Sequence, residues 1–168
     1  MAVHLIHIGR LEEKVMSKQP DFDLEKAHQF LAVSCFNRAW ELIDKTVRTT
    51  AEDEQMIQLA QASLWHWTQR TDCSDKNLSI GYWQVSRVYA LVGEADNARK
   101  YARLCLEKTP PEEPFYLGYA YEALARAELV ADVPEQAQTF LAQARQQLEK
   151  ITGDEEKKLL GDDLETLE

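Results

Sequence analysis

The chain is poor in residues that interrupt helices, and equally poor in those that cross-link a fold. Its 168 residues include only 6 glycines, 5 prolines and 3 cysteines. Long segments therefore run without a breaker, and abundant Ala, Leu, Gln and Glu favour helix over sheet. Cys35, Cys73 and Cys105 lie 38 and 32 positions apart. An odd count without CxxC spacing excludes both a disulfide framework and a zinc site of the usual ligand spacing. No apolar run reaches the roughly 18 residues that a membrane-spanning helix needs. Polybasic clusters are also missing, which excludes the usual footprints for nucleic acid and for anionic membrane surfaces.

Negative charge is in excess, at a formal net of −10. Between Ile151 and Glu168 seven acids face two lysines, so that stretch alone carries −5. The N-terminal MAVHLIHIGR has too short an apolar stretch and too few basic residues for a signal peptide. With reduced thiols, the expected location is cytoplasmic. No phosphate-binding glycine loop, nucleophile motif or metal cluster stands out, so neither a cofactor nor a catalytic residue is expected.

Helical signals run along the chain. Asp23 is an N-cap candidate, followed by Ala27, Phe30, Leu31 and Ser34 at helical spacing, an expected inward stripe. Trp40, Ile43 and Val47 make a second stripe. Neither Gly nor Pro decides whether 23–48 is one helix or two. Thr50 is expected to cap the next helix, with Glu52, Asp53 and Glu54 at its positive end. Met56, Ala60, Ser63, Leu64 and Trp67 would face inward, and the helix would end near Arg70. Further helices are predicted over about 77–92, stopped by Gly93, and over about 96–108, ended by Pro110-Pro111. Pro114 opens a long helix. Asp132 is expected to cap the one after it, with Pro134 in the first turn. Asp154 begins a last helix with Leu160, Leu164 and Leu167 on one stripe. No segment alternates with period two, so no strand is expected.

Residues 82–110 carry a longer pattern: Tyr82-x2-Val85-Ser86-x2-Tyr89, then Gly93, then Ala98-x3-Ala102, Cys105-Leu106 and Pro110. This order resembles the tetratricopeptide repeat (TPR), in which W-x2-L-G-x2-Y precedes A-x3-F and a Pro. Leu117-Gly118-x2-Tyr121, followed by Ala137-x3-Leu141 and Ala144, resembles a second unit with seven extra residues between its halves. A weaker third runs through Trp40, Ile43, Val47, Ala51, Met56 and Ala60. The resemblance spans about 37–150 and extends to a group of short bacterial TPR-like proteins of unassigned activity. It implies an all-α fold, an antiparallel helix-pair stack of about seven to eight helices, as one domain over 23–168. A stack needs covered ends, and the helix at 154–167 is expected to be the C-terminal cap. Residues 1–22 would be a flexible extension. Met16 is a plausible second start, so 1–15 are read either as an untranslated extension or as a frayed terminus.

In TPR stacks the first helix of each pair lines a concave groove. Carried over position by position, the resemblance places Ile80, Trp83, Arg87, Ala90 and Leu91 there from the middle unit. The next unit contributes Tyr119, Glu122, Arg126, Leu129 and Val130, and the upstream unit Arg38, Glu41 and Lys45. Arg87 and Arg126 hold equivalent places. Two guanidiniums on one wall suit a carboxylate or phosphate, although Glu122, four residues before Arg126, could neutralise them instead. The expected function is a non-catalytic adaptor that holds a peptide or partner segment, with Trp83 and Tyr119 as anchors and Trp83 on open surface. Two alternatives stand beside it: a small-molecule site or enzyme pocket near His66, Trp83 and Arg87, and a homo-oligomeric structural protein. His4-x2-His7 is at most a weak metal pair. Trp65 and Trp67 lie about 200° apart on a helix and are expected to mark a packing seam.

Overall fold

A computed structural model describes residues 21–167. The readings of 1–15 and of His4-x2-His7 fall outside the described residues. Seven helices follow in order: α1 (Leu24–Ile43), α2 (Thr50–Thr68), α3 (Asp75–Leu91), α4 (Ala95–Lys108), α5 (Pro114–Val130), α6 (Pro134–Leu148) and α7 (Asp154–Glu165). There is no strand among the described residues. Residues 24–43 form a single helix, so the stretch left open in the sequence has no break before Asp44.

The termini follow local chemistry. Asp23 accepts from the Lys26 backbone N–H at the start of α1. Thr49, not Thr50, caps α2: its hydroxyl accepts from the Glu52 N–H while the Glu52 carboxylate accepts from the Thr49 N–H. That reciprocal box needs a carboxylate three residues on, and Glu52 stands at that distance from Thr49. The same exposed carboxylate takes Lys45, and the two contacts hold it down at about 2, below the usual glutamate range. Ser74 and Asn77 make an equivalent box for α3.

Two turns repeat. Gly93 sits at φ 81°, between α3 and α4, and the Glu94 N–H reaches back to the Tyr89 carbonyl at 2.9 Å. Asp132 sits at φ 57°, between α5 and α6, and the Val133 N–H reaches the Glu128 carbonyl at 2.9 Å. Asp132 therefore ends α5 in a left-handed conformation, where Gly or a short polar residue is tolerated. It does not cap α6, whose N-cap is Val133, without a side-chain bond.

Consecutive helices pair as α1 with α2, α3 with α4 and α5 with α6, and the pairs stack through α2–α3, α4–α5 and α3–α5 contacts. Small residues permit the approach. Ala98 and Ala102 of α4 and Ala137 and Ala144 of α6 are all buried, and Ser86 donates to the Ala98 carbonyl across the α3–α4 seam at 3.0 Å. α7 turns back over α5 and α6, where Leu160, Leu164 and Leu167 are buried. Gly118 leaves room for it: a Cβ there would come 2.4 Å from Leu160 Cδ2.

α1 carries the main departure from expectation. Its buried residues are Ala32, Ala39 and Ile43, whereas Phe30 is 70% exposed and Leu31 37%. Phe30 and Leu31 of the expected stripe thus lie outside the core, while Ala27 and Ser34 are half-buried. Among the described residues α1 packs chiefly against α2, and the alanine side faces it. Val47 lies past the end of α1 and is 80% exposed, so it belongs to no inward stripe.

Candidate functional site

A cavity of about 590 Å³ opens on the face lined by the first helix of each pair. α1 contributes Trp40, Ile43 and Asp44, its C-cap. From α3 come Ile80, Trp83, Arg87 and Leu91, and from α5 Phe115, Tyr116 and Tyr119. α7 adds Leu159 and Asp163, and Ser79 and Cys105 also line it. The rings form a chain. Trp40 and Trp83 have centroids 5.7 Å apart, Trp83 and Tyr119 meet edge to face at 5.3 Å, and Tyr119 meets Phe115 the same way at 5.1 Å. Such pairs add about 0.5–1.5 kcal/mol each beyond burial and hold the wall in one geometry.

Behind the rings lies a charge cluster centred on Glu122, whose side chain is fully buried. Its Oε2 accepts from the Trp83 indole N–H at 3.0 Å. Oε1 accepts from Arg87 Nη1 at 3.0 Å and from Arg126 Nε at 2.7 Å. Arg126 Nη2 goes on to Thr166 Oγ1 at 2.9 Å, just past the end of α7. Asp163 of α7 accepts from Arg87 Nη2 at 3.3 Å and from the Tyr119 hydroxyl at 3.0 Å. Burial, with Asp163 beside it, pushes the Tyr119 phenol well above its ordinary value. The hydroxyl therefore stays protonated and keeps its role as donor.

Several expectations change. Trp83 is not on open surface: it is 8% exposed, part of the cavity lining, with its N–H on Glu122. The exposed tryptophan is Trp65, at 54%. Trp67 is half-buried and lies under the Arg70 guanidinium, 3.7 Å from the ring centre. Arg87 and Arg126 do meet, but on a carboxylate of their own chain. Arg38 and Glu41 are exposed on α1 and do not line the cavity, and Lys45 is drawn to Glu52. Ala90, Leu129 and Val130 do not line it either. Trp40, Ile43 and Asp44 supply the upstream wall instead.

His66 is not part of the cavity. Its Nδ1 lies 2.8 Å from His28 Nδ1 across the α1–α2 seam, so one ring donates and the other accepts. Trp65 packs edge-on to both rings. The pocket expected around His66, Trp83 and Arg87 thus divides into two places. Burial and the neighbouring His28 hold His66 below its ordinary 6.5. A histidine whose folded value lies under its unfolded value binds protons better when unfolded. Its stabilising contribution is complete above about pH 6.5 and falls as pH drops below it. Urea unfolding at pH 7.5 and 5.5 should show a smaller pH difference for His66→Gln than for the parent. An identical difference in both would contradict this.

No protein-family model, no curated protein and no solved structure matches this chain. Chemistry within the cavity is limited. Cys105 is the thiol on its lining, and burial pushes it up to about 11, so it is a poor nucleophile at neutral pH. Among the described residues no group of three or more His, Cys, Asp or Glu is placed to hold a metal ion. Nor is any described helix long and apolar enough to cross a membrane.

Phe115, Tyr116, Leu159 and Asp163 were not foreseen as lining residues. The first two had a signal: they precede Tyr119 by four and three positions, the same helix face. Leu159 and Asp163 had none, because their place depends on where α7 folds back.

Proposed function

We propose that this chain is a non-catalytic, TPR-like helical-repeat binding protein that holds a peptide segment of a partner in its concave groove. The observation that supports it is the cavity. The first helices of three successive pairs build it, as in a repeat stack that binds along its inner face. Its lining is mainly aromatic and aliphatic with a few fixed polar groups, the usual make-up of a recognition site. The ring chain and the buried Glu122 cluster hold the walls before a ligand arrives, which lowers the ordering cost of binding. Apolar side chains of the segment would fill the space between Trp40, Ile80 and Phe115. The anion-reading role once expected of Arg87 and Arg126 is not part of the proposal, since both guanidiniums are already engaged.

Selection from a random dodecapeptide library tests this reading. Peptides retained by the parent and lost on Ile80→Glu, with helicity of the variant intact, are the expected result. Retention that is the same on both proteins would refute binding in the groove.

A further inference from the structure

The walls also specify the charge of the occupant, an inference that rests on the groove reading above. Five aromatic residues line the cavity: Trp40, Trp83, Phe115, Tyr116 and Tyr119. Aromatic faces carry a negative quadrupole and attract cations. One ring of this wall already does so: Lys76 Nζ lies 4.7 Å from the Tyr116 ring centre, with Glu113 neutralising it at 2.6 Å.

Two carboxylates share the lining, Asp44 and Asp163. Asp44 is exposed and makes no ion pair with any described residue. Asp163 accepts two bonds, yet its side chain remains 27% exposed, with acceptor capacity left over. The single cation on the lining is Arg87, whose side chain is only 14% exposed. Its Nη1 serves Glu122 and its Nη2 serves Asp163, while Nε is shut away from water without a partner. Arg87 and Arg126 balance Glu122 and Asp163, so Asp44 leaves the site net negative. The chain as a whole carries −10, which draws cations and repels anions over a longer range.

We propose that the groove receives a basic segment of its partner, in which a Lys or Arg flanked by apolar residues lays its alkyl stem along Trp40 and Trp83 and brings its charge to Asp44 and Asp163. A carboxylate in the same place would meet two like charges, and the one guanidinium on the lining already has both terminal nitrogens engaged. A neutral side chain would forgo both the ring faces and the carboxylates.

Three matched dodecapeptide libraries, with central Lys, Gln or Glu and random flanks, test the charge separately from the groove. The central-Lys library should give binders that Ile80→Glu abolishes. Replacing Lys by Gln in those binders should weaken them roughly ten-fold, the size expected of a partly desolvated cation on an aromatic wall. Asp44→Asn, at an exposed position outside the core, should remove most of that Lys preference. Groove-dependent binders arising equally or better from the Glu library would overturn the charge assignment and leave the groove reading in place. A Lys preference untouched by Asp44→Asn would also overturn it. Enrichment in all three libraries that survives Ile80→Glu would remove the groove reading and this inference together.

Discussion

Glu122→Ala is expected to destabilise the fold by about 3–5 kcal/mol, the range for removing one partner of a buried ion pair. The substitution strands three donors at once: the Trp83 indole N–H, Arg87 Nη1 and Arg126 Nε. Two guanidiniums would then sit side by side, mostly buried, with Asp163 bonded to Arg87 alone of the two. In a chain of this length a loss of that size lowers Tm by roughly 10 °C. Tryptophan emission should shift as well, because Trp83 loses its hydrogen bond. Glu122→Gln keeps the shape and one acceptor, so it should fall between Ala and the parent. Thermal melts of the three proteins decide the matter: an alanine variant within about 1 °C of the parent would mean that the cluster contributes nothing net, an outcome known for some buried ion pairs.

Leu160→Ala should cost about 2–5 kcal/mol, the range for emptying a buried leucine site. Leu160 is fully buried, and its Cδ2 fits against Gly118, where no side chain exists to close the gap. The effect should also be local. α7 has only 12 residues, too few to hold as an isolated helix, so weakening its seat should release it before the rest unfolds. Hydrogen exchange should show amides of 154–165 losing protection well ahead of those in α3 and α5. Uniform loss across the chain would instead show that α7 and the helix pairs unfold as one unit.

The sequence marked helices better than faces. Breakers and caps placed α2 to α7 to within a few residues, because Gly93, Pro114, Pro134 and Gly153 act locally, whereas α1, without such a signal, was open between one helix and two. At Thr49 the choice between adjacent threonines turned on which one stood three residues before Glu52. At Asp132 a residue that suits an N-cap served a left-handed helix end, and only tertiary geometry separates the two uses. Faces were read in part at α1. Ile43 is buried and Trp40 packs against the core as their stripe suggested, but Phe30 and Leu31 are exposed while Ala32 and Ala39 are buried. Helix spacing reports a stripe, not its neighbour, and close helix contacts select small residues that carry little hydrophobic signal.

The site was legible along α3 and α5 and illegible elsewhere. Ile80, Trp83, Arg87, Leu91 and Tyr119 fell on the cavity as expected, whereas Ala90, Leu129 and Val130 of the same two helices did not. The mutual neutralisation of Arg87, Arg126 and Glu122 was one of the readings open from spacing alone. What spacing did not reveal was that Trp83 would bond the same carboxylate, or that α7 would bring a second one.

That last helix has two jobs at one address. Leu160 and Leu164 close the end of the core, while Leu159 and Asp163, one position earlier on each turn, form part of the cavity rim. Any event that peels this segment away, such as proteolytic clipping near Gly153, would strip a flank from the recognition surface as it unseals the interior. A ligand in the cavity that contacted Asp163 would by linkage protect the tail from clipping, and a nicked chain would hold such a ligand less tightly.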